Sequence, residues 1–204
     1  MNKEQRSITS EIRLSNDNRL VEGYALLFNT ESRDLGGFTE IIEPNSLNGV
    51  IDKSDVFCVL NHQNERGILA RSKKGSGSLI LEVDETGLKY LFEAPNTALG
   101  DELLEYLKRG DITGSSFAFI VNEDKWENNN GKHLRRIKSF DLLFDVSPVF
   151  NPAYEETSVA KRSLDNILEE QRQAEEAKKA AEDKAKKEEL DKYFENLRNS
   201  IKSI

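Results

Sequence analysis

Arg109-Gly110-Asp111-Ile112-Thr113-Gly114-Ser115-Ser116-Phe117-Ala118-Phe119 is the stretch on which the fold reading turns. Upstream, Leu99, Leu103, Leu104 and Leu107 recur at helical spacing. Thr97 is placed to cap the first turn, and Lys108 and Arg109 followed by Gly110 end the helix. Downstream, an apolar run from Ser116 to Val121 has the character of a strand. A helix therefore gives way to a strand through a glycine-bearing turn, with a serine pair at the junction. Gly114 permits close backbone approach there. A turn that merely contains serine fits the same residues, so this junction speaks for architecture before chemistry.

Working outward, most of residues 7–159 reads as short strands. Ile8, Ile12 and Leu14 fall on one parity, and Leu20, Tyr24, Leu26 and Phe28 repeat the pattern. Phe38 to Ile42 and Asp55 to Leu60 are further apolar runs, separated by a turn or helix start at Glu43 to Ser46. Leu79 to Val83 and Leu88 to Phe92, divided by Asp84 to Gly87, read as a hairpin. Ile137 to Val146 forms a last strand beyond the polar loop Asn128 to Gly131. The expected body is α+β and β-rich.

The composition bounds the function. The chain has 204 residues, enough for one domain and an appendage. A net charge of −8 argues against a nucleic-acid partner, because phosphate affinity comes from clustered Lys and Arg. Two histidines and a single cysteine, Cys58, cannot build an ordinary zinc site, so neither metal nor cofactor is expected. Cys58 reads as a core residue in the run Val56 to Leu60. No stretch approaches the roughly 18 apolar residues of a membrane span, and Met1 to Ser10 lacks a leader's apolar region. A soluble cytosolic protein is the expectation.

The composition changes near Val159. Residues 160–204 hold eleven Lys or Arg, eleven Asp or Glu, and neither Gly nor Pro, so the whole net charge belongs to residues 1–159. This second segment reads as a long, charged C-terminal helix. Leu190, Phe194, Leu197, Ile201 and Ile204 form one stripe on it, suited to a partner or to a second copy of the chain. A solvated helix docked on its own body is the plainer alternative.

Three elements can carry chemistry. His62 follows the apolar run ending at Leu60, where a strand yields to a loop. Ser116, beside Ser115, opens the strand of the quoted stretch, and a serine nucleophile needs a base close by. In Phe140-Asp141-Leu142-Leu143-Phe144-Asp145-Val146-Ser147-Pro148-Val149, strict alternation puts Asp141, Leu143 and Asp145 on one face. A carboxylate there can orient an imidazole. A surface histidine, a serine-bearing turn and a solvent-facing sheet edge are the respective structural alternatives.

Taken together, these strings resemble the prohead proteases of tailed bacteriophages, a family similar in fold to the herpesvirus capsid-maturation proteases. Gly23-Tyr24-Ala25, Leu60-Asn61-His62, Asp84 to Leu88, the quoted stretch, and Asp145 through Tyr154 carry the resemblance in the right order over roughly residues 7–160. It implies a herpesvirus-protease-like β-barrel body with peripheral helices, and a serine endopeptidase with Ser116 as nucleophile and His62 as base. The third member is implied to be Asp145, with Asp141 in reserve, where the family most often has Glu. The herpesvirus relatives use a second histidine, which makes His133 a further candidate. Ala118 stands where the family usually has glycine. The implied substrates are the major capsid protein with its scaffolding segment or a separate scaffold protein, and the protease itself. The implied setting is the assembling procapsid in the host cytoplasm. Residues 160–204 would be a targeting piece removed by self-cleavage. An assembly protein with an inactive protease-like body, or a plain binding module, are the rival classes.

Overall fold

The computed structural model describes residues 3–9, 12–14, 19–129 and 131–150, and 165, 168–170, 172–181 and 184 of the C-terminal segment. The chain divides into two compact units, Met1–Lys161 and Arg162–Ile204. The described residues of the second unit are helical and exposed. Arg172 bridges Glu169 at 2.7 Å and Glu176 at 3.1 Å along the helix, the i,i+3 and i,i+4 spacings that support a solvated helix. The apolar stripe expected from Leu190 to Ile204 lies outside the described residues.

The first unit is α+β and strand-rich. In chain order it contains β1 (Glu4–Thr9), β2 (Arg13–Leu14), β3 (Leu20–Leu27), β4 (Phe38–Ile42), β5 (Asp55–Cys58), β6 (Ala70–Lys73), β7 (Ser76–Gly77), β8 (Leu79–Val83), β9 (Gly87–Glu93), α1 (Ala98–Arg109), β10 (Gly114–Asn129) and β11 (Lys132–Val149). Short 3-10 turns fill the connections, at Pro44–Leu47 and Leu60–His62 among others.

The expected closed barrel is not what the described strands form. They fall into two sheets, one of seven strands in the order β1-β10-β11-β5-β6-β7 with β4 also on β11, and one of four in the order β2-β3-β9-β8. The N-terminal residues explain part of the difference. Ile8, Ile12 and Leu14 share a parity but not a strand: β1 joins the larger sheet beside β10, and β2 joins the smaller beside β3.

Local rules place the helix and the β8–β9 hairpin as read, whereas β6 and β7 carry no reading and β10 and β11 run longer than expected, to Asn129 and from Lys132. Thr97 Oγ1 accepts the Gly100 N–H at 3.3 Å, and Gly110 ends α1 in the left-handed region at φ 73°. In the β8–β9 hairpin, Asp84 Oδ1 accepts the Thr86 and Gly87 N–H groups at 2.8 and 2.9 Å. Gly87 is required there, because a Cβ would stand 2.0 Å from the Leu26 carbonyl.

The core lies between the sheets. Phe117, Phe119 and Phe140 of the larger sheet stack with centroids 5.1 and 4.6 Å apart, and Val21, Leu26, Tyr90 and Phe92 of the smaller sheet join the same cluster. Cys58 is fully buried in it. Burial pushes its thiol up, with the nearby Asp145 charge adding to the effect.

One feature of this interior has no local sequence signal. Glu4, Arg6, Glu40 and Arg135, each 5% exposed or less, form a closed charge cluster. Arg6 binds Glu40 at 3.0 Å and Glu4 at 2.7 Å; Arg135 binds Glu4 at 2.7 Å, Glu40 at 3.1 Å and Asp124 at 2.6 Å. Burial is the largest influence on Glu4 and raises it, but the hydrogen bonds and charges of Arg135 and Arg6 outweigh it. Its carboxyl is therefore held below the usual range.

Two outcomes follow from the cluster. Arg135→Ala leaves buried carboxylates short of a partner and should cost about 3–5 kcal/mol in urea unfolding at neutral pH. A depressed carboxylate contributes stability that is present above its unfolded value, near roughly 4.3, and lost as pH falls through the folded value. Unfolding free energy should thus decline below about pH 5, and the decline should be shallower in Arg135→Ala.

Candidate active site

The site is assembled by two pairings of β11. Antiparallel to it, β10 sets Ser116 opposite Ser147 and Ala118 opposite Asp145. Parallel to it, β5 sets Phe57 beside Asp145 and Cys58 beside Val146. Directly opposed residues project to the same side of a sheet with Cβ atoms roughly 4.5–5.5 Å apart, so Ser116, Ser147 and Asp145 share a face.

The register also corrects the strict alternation read from sequence. Ala118 faces Asp145, but the next residue, Phe119, faces Leu143. Phe144 is the extra residue of one β-bulge and Asp141 of a second, and each reverses the parity of the strand before it. Leu143 therefore enters the core with Phe140 and Val146, while Asp145 turns to the opposite face. Asp141 is separated from Asp145: it is partly exposed and pairs with Lys53 Nζ at 3.3 Å.

His62 reaches this face through a backbone reversal. After β5, Asn61 adopts φ 50° and ψ 39°, and His62 itself adopts φ 58°. Two consecutive non-glycine residues in the left-handed region are costly, which Asn tolerates better than most side chains. The reversal brings His62 Nδ1 to 2.7 Å from Asp145 Oδ1. The pair is close in distance, yet neither ring nitrogen meets the angular requirements of a hydrogen bond, and Nε2 is buried without a partner among the described residues. Catalytic hydrogen bonds often align only once substrate is bound.

Asp145 is 4% exposed. Its Oδ1 also accepts the Ser147 hydroxyl at 3.0 Å, and Lys3 Nζ lies 3.4 Å from Oδ2. Burial is the largest influence and raises its pKa, but His62, Lys3 and Ser147 together overcome it and hold the carboxyl below its ordinary value. It is an anion at neutral pH.

The serine pair divides between faces. Ser115 turns inward and shares a 2.9 Å hydrogen bond with Tyr90 Oη across the two sheets. Ser116 turns to the face of Asp145, fully buried, where its hydroxyl donates to the Arg6 carbonyl of β1 at 2.7 Å. His133 lies elsewhere. It pairs with Asn128 near the tip of the β10–β11 hairpin, roughly 40 Å along the strand from Asp145 at ~3.3 Å per residue.

Chemically, an imidazole backed by a carboxylate anion can take a proton from a hydroxyl; the far nitrogen of His62 is buried, and Ser116 lies on the sheet face that carries Asp145. Among the described residues, no cluster of His, Cys, Asp or Glu could hold a metal ion. A cleft of about 290 Å³ opens elsewhere, between β1 and residues 30–35, and none of His62, Ser116 or Asp145 lines it.

The model of the family described as "Caudovirus prohead serine protease" matches residues 6–170. The chain belongs to that family. It is a serine protease of capsid maturation, acting inside the procapsid. No curated protein matches the chain. Among solved structures, the protease is similar to the bacteriophage T4 capsid assembly protease gp21, with 13% identity and a TM-score of 0.41, over 74% of this chain and 100% of that one. No helix among the described residues is long and apolar enough to cross a membrane.

Sequence reading missed Ser147, Lys3 and Tyr90. Ser147 had a signal, since a residue two positions after Asp145 in a strand shares its face. Lys3 had none, because only the β1–β10 pairing brings it near.

Proposed function

We propose that the protease works by a Ser-His-Asp mechanism in which Ser116 is the nucleophile, His62 the general base and acid, and Asp145 the residue that orients the ring. The 2.7 Å approach of His62 Nδ1 to Asp145, on the sheet face that also carries Ser116, is the observation that supports this reading. Ser116 Oγ attacks the peptide carbonyl carbon and His62 Nε2 takes its proton. The tetrahedral intermediate then collapses, and the imidazolium returns that proton to the leaving amine. Water repeats the sequence to release the acyl group. In the resting arrangement the Ser116 hydroxyl is held by the Arg6 carbonyl. Rotation about its Cα–Cβ bond is therefore the first motion of the cycle.

The substrates in this reading are the capsid protein's scaffolding segment or a separate scaffold protein, and the protease itself. The neutral segment beyond residue 160 serves as the piece that carries the protease into the procapsid and is lost on self-cleavage. Assembly takes place in the host cytoplasm, and the two-sheet body is an open relative of the herpesvirus protease barrel.

Purified Ser116→Ala should lose about a million-fold in turnover of capsid or scaffold protein, the loss seen when one member of a cooperating triad is removed. Ser115→Ala should retain turnover while losing about 1 kcal/mol of stability through the Tyr90 hydroxyl bond. Equal activity of Ser116→Ala and wild type in a gel-based cleavage assay would overturn the mechanism. Deleting residues 160–204 should leave the circular dichroism of the strands intact and lower the copy number in purified procapsids. Unchanged incorporation refutes the carrier role.

A further inference from the structure

Ser147 is wholly buried, and its hydroxyl has an acceptor that bears on the chemistry. It donates to Asp145 Oδ1 at 3.0 Å, the same oxygen that lies 2.7 Å from His62 Nδ1. A carboxylate on a strand can rotate about its Cα–Cβ and Cβ–Cγ bonds, and a single contact to a largely buried imidazole leaves both rotations loosely held. A second donor on the same oxygen, from two residues along the same face, restricts them. The register adds a positional argument: Ser147 stands directly across from Ser116, between the nucleophile and the acid on one face of the sheet. Lys3 Nζ, at 3.4 Å from Oδ2, holds the other oxygen from the side of β1.

We propose that Ser147 is a positioning residue of the protease: it fixes the orientation of the Asp145 carboxylate, and through it the tautomer and tilt of the His62 ring. This rests on the Ser-His-Asp reading above and extends it. Because the Ser147 proton is committed to a carboxylate anion, its oxygen is not the attacking group. The bond costs little to keep, since a buried hydroxyl on a strand needs an acceptor in any case. Its contribution lies in preorganisation. A positioned acid supports the imidazolium at the moment it forms, without having to reorient then.

The test uses the full chain and a phosphonofluoridate probe, which Ser116 Oγ attacks at phosphorus with loss of fluoride as His62 takes the hydroxyl proton. Labelling reports base-assisted nucleophilicity without a known cleavage sequence. Ser147→Ala should lower the maximal labelling rate by roughly tenfold to a hundredfold, the range typical of partners that orient a site residue. The probe's half-saturating concentration should stay unchanged. Ser147→Cys, similar in size but a weak donor, should show the same loss, and Ser147→Thr, which keeps the hydroxyl, should recover most of the rate. In an Asp145→Asn background, Ser147→Ala should add nothing further. Thermal melting of each variant separates folding from rate, and the Thr-against-Cys contrast stands even where Ser147→Ala folds poorly.

Wild-type labelling by both Ser147→Ala and Ser147→Cys, with Asp145→Asn slow, overturns the positioning role and leaves the triad standing. Wild-type labelling by Asp145→Asn removes the triad itself. A phosphonyl adduct located on Ser147 by mass spectrometry makes it a nucleophile and ends the proposal.

Discussion

The pairing of β10 with β11 is the constraint on which the rest of the protease depends. One strand carries Ser116, the other carries Asp145, and β5, which leads to His62, also pairs with β11. The bulge at Phe144 is the decisive detail within that pairing. With unbroken alternation, Leu143 and Asp145 would face the same way, so either the core would lose an apolar residue or the carboxylate would be buried among phenylalanines. One extra residue lets Phe119 and Leu143 pack inward while Asp145 looks out at the imidazole. A backbone irregularity of this kind weakens the ladder locally. It is retained where re-aiming one side chain matters more than an ideal strand.

The same economy governs charge. Asp145 is nearly inaccessible to water, an environment that by itself raises its pKa. Three neighbours offset that tendency: the imidazole 2.7 Å away, the Ser147 hydroxyl and the Lys3 ammonium. On β1, the strand that brings Lys3, Glu4 and Arg6 enter the buried cluster with Glu40 and Arg135. The N-terminal strand thus does two electrostatic jobs with adjacent residues, anchoring itself on one face of the sheet and steadying the acid on the other. The carbonyl of Arg6 also receives the Ser116 hydroxyl. In the proposed mechanism, binding of substrate has to compete with that bond before the serine can engage His62.

Much of this was legible in one dimension. The helix from Ala98 to Arg109 announces itself by leucine spacing, a Thr cap and a terminal Gly, and the β8–β9 hairpin by an Asp-to-Gly turn. These features depend on residues a few positions apart. His62, Ser116 and Asp145 stand out through the order of their surrounding strings, whereas the placement of Asp141 and Asp145 on one shared face does not hold in the register. The parity rule behind that reading fails at a bulge, and no local property of Phe144 marks it as the extra residue. The split of Ile8 and Leu14 between two sheets was hidden for a related reason: parity continues across a break in a strand.

What the sequence alone determined was the helix and most of the strands, the β-rich class, the family and the residues that could do chemistry, because short-range spacing and residue type encode all of these. What only the tertiary structure decided was which of those residues meet. The approach of His62 to Asp145, the outward turn of Ser116 against the inward turn of Ser115, the remoteness of His133 and the closed cluster of Glu4, Arg6, Glu40 and Arg135 all depend on register between strands far apart in the chain. Register is set by the summed packing of the core, and a linear sequence does not carry that sum at any one position.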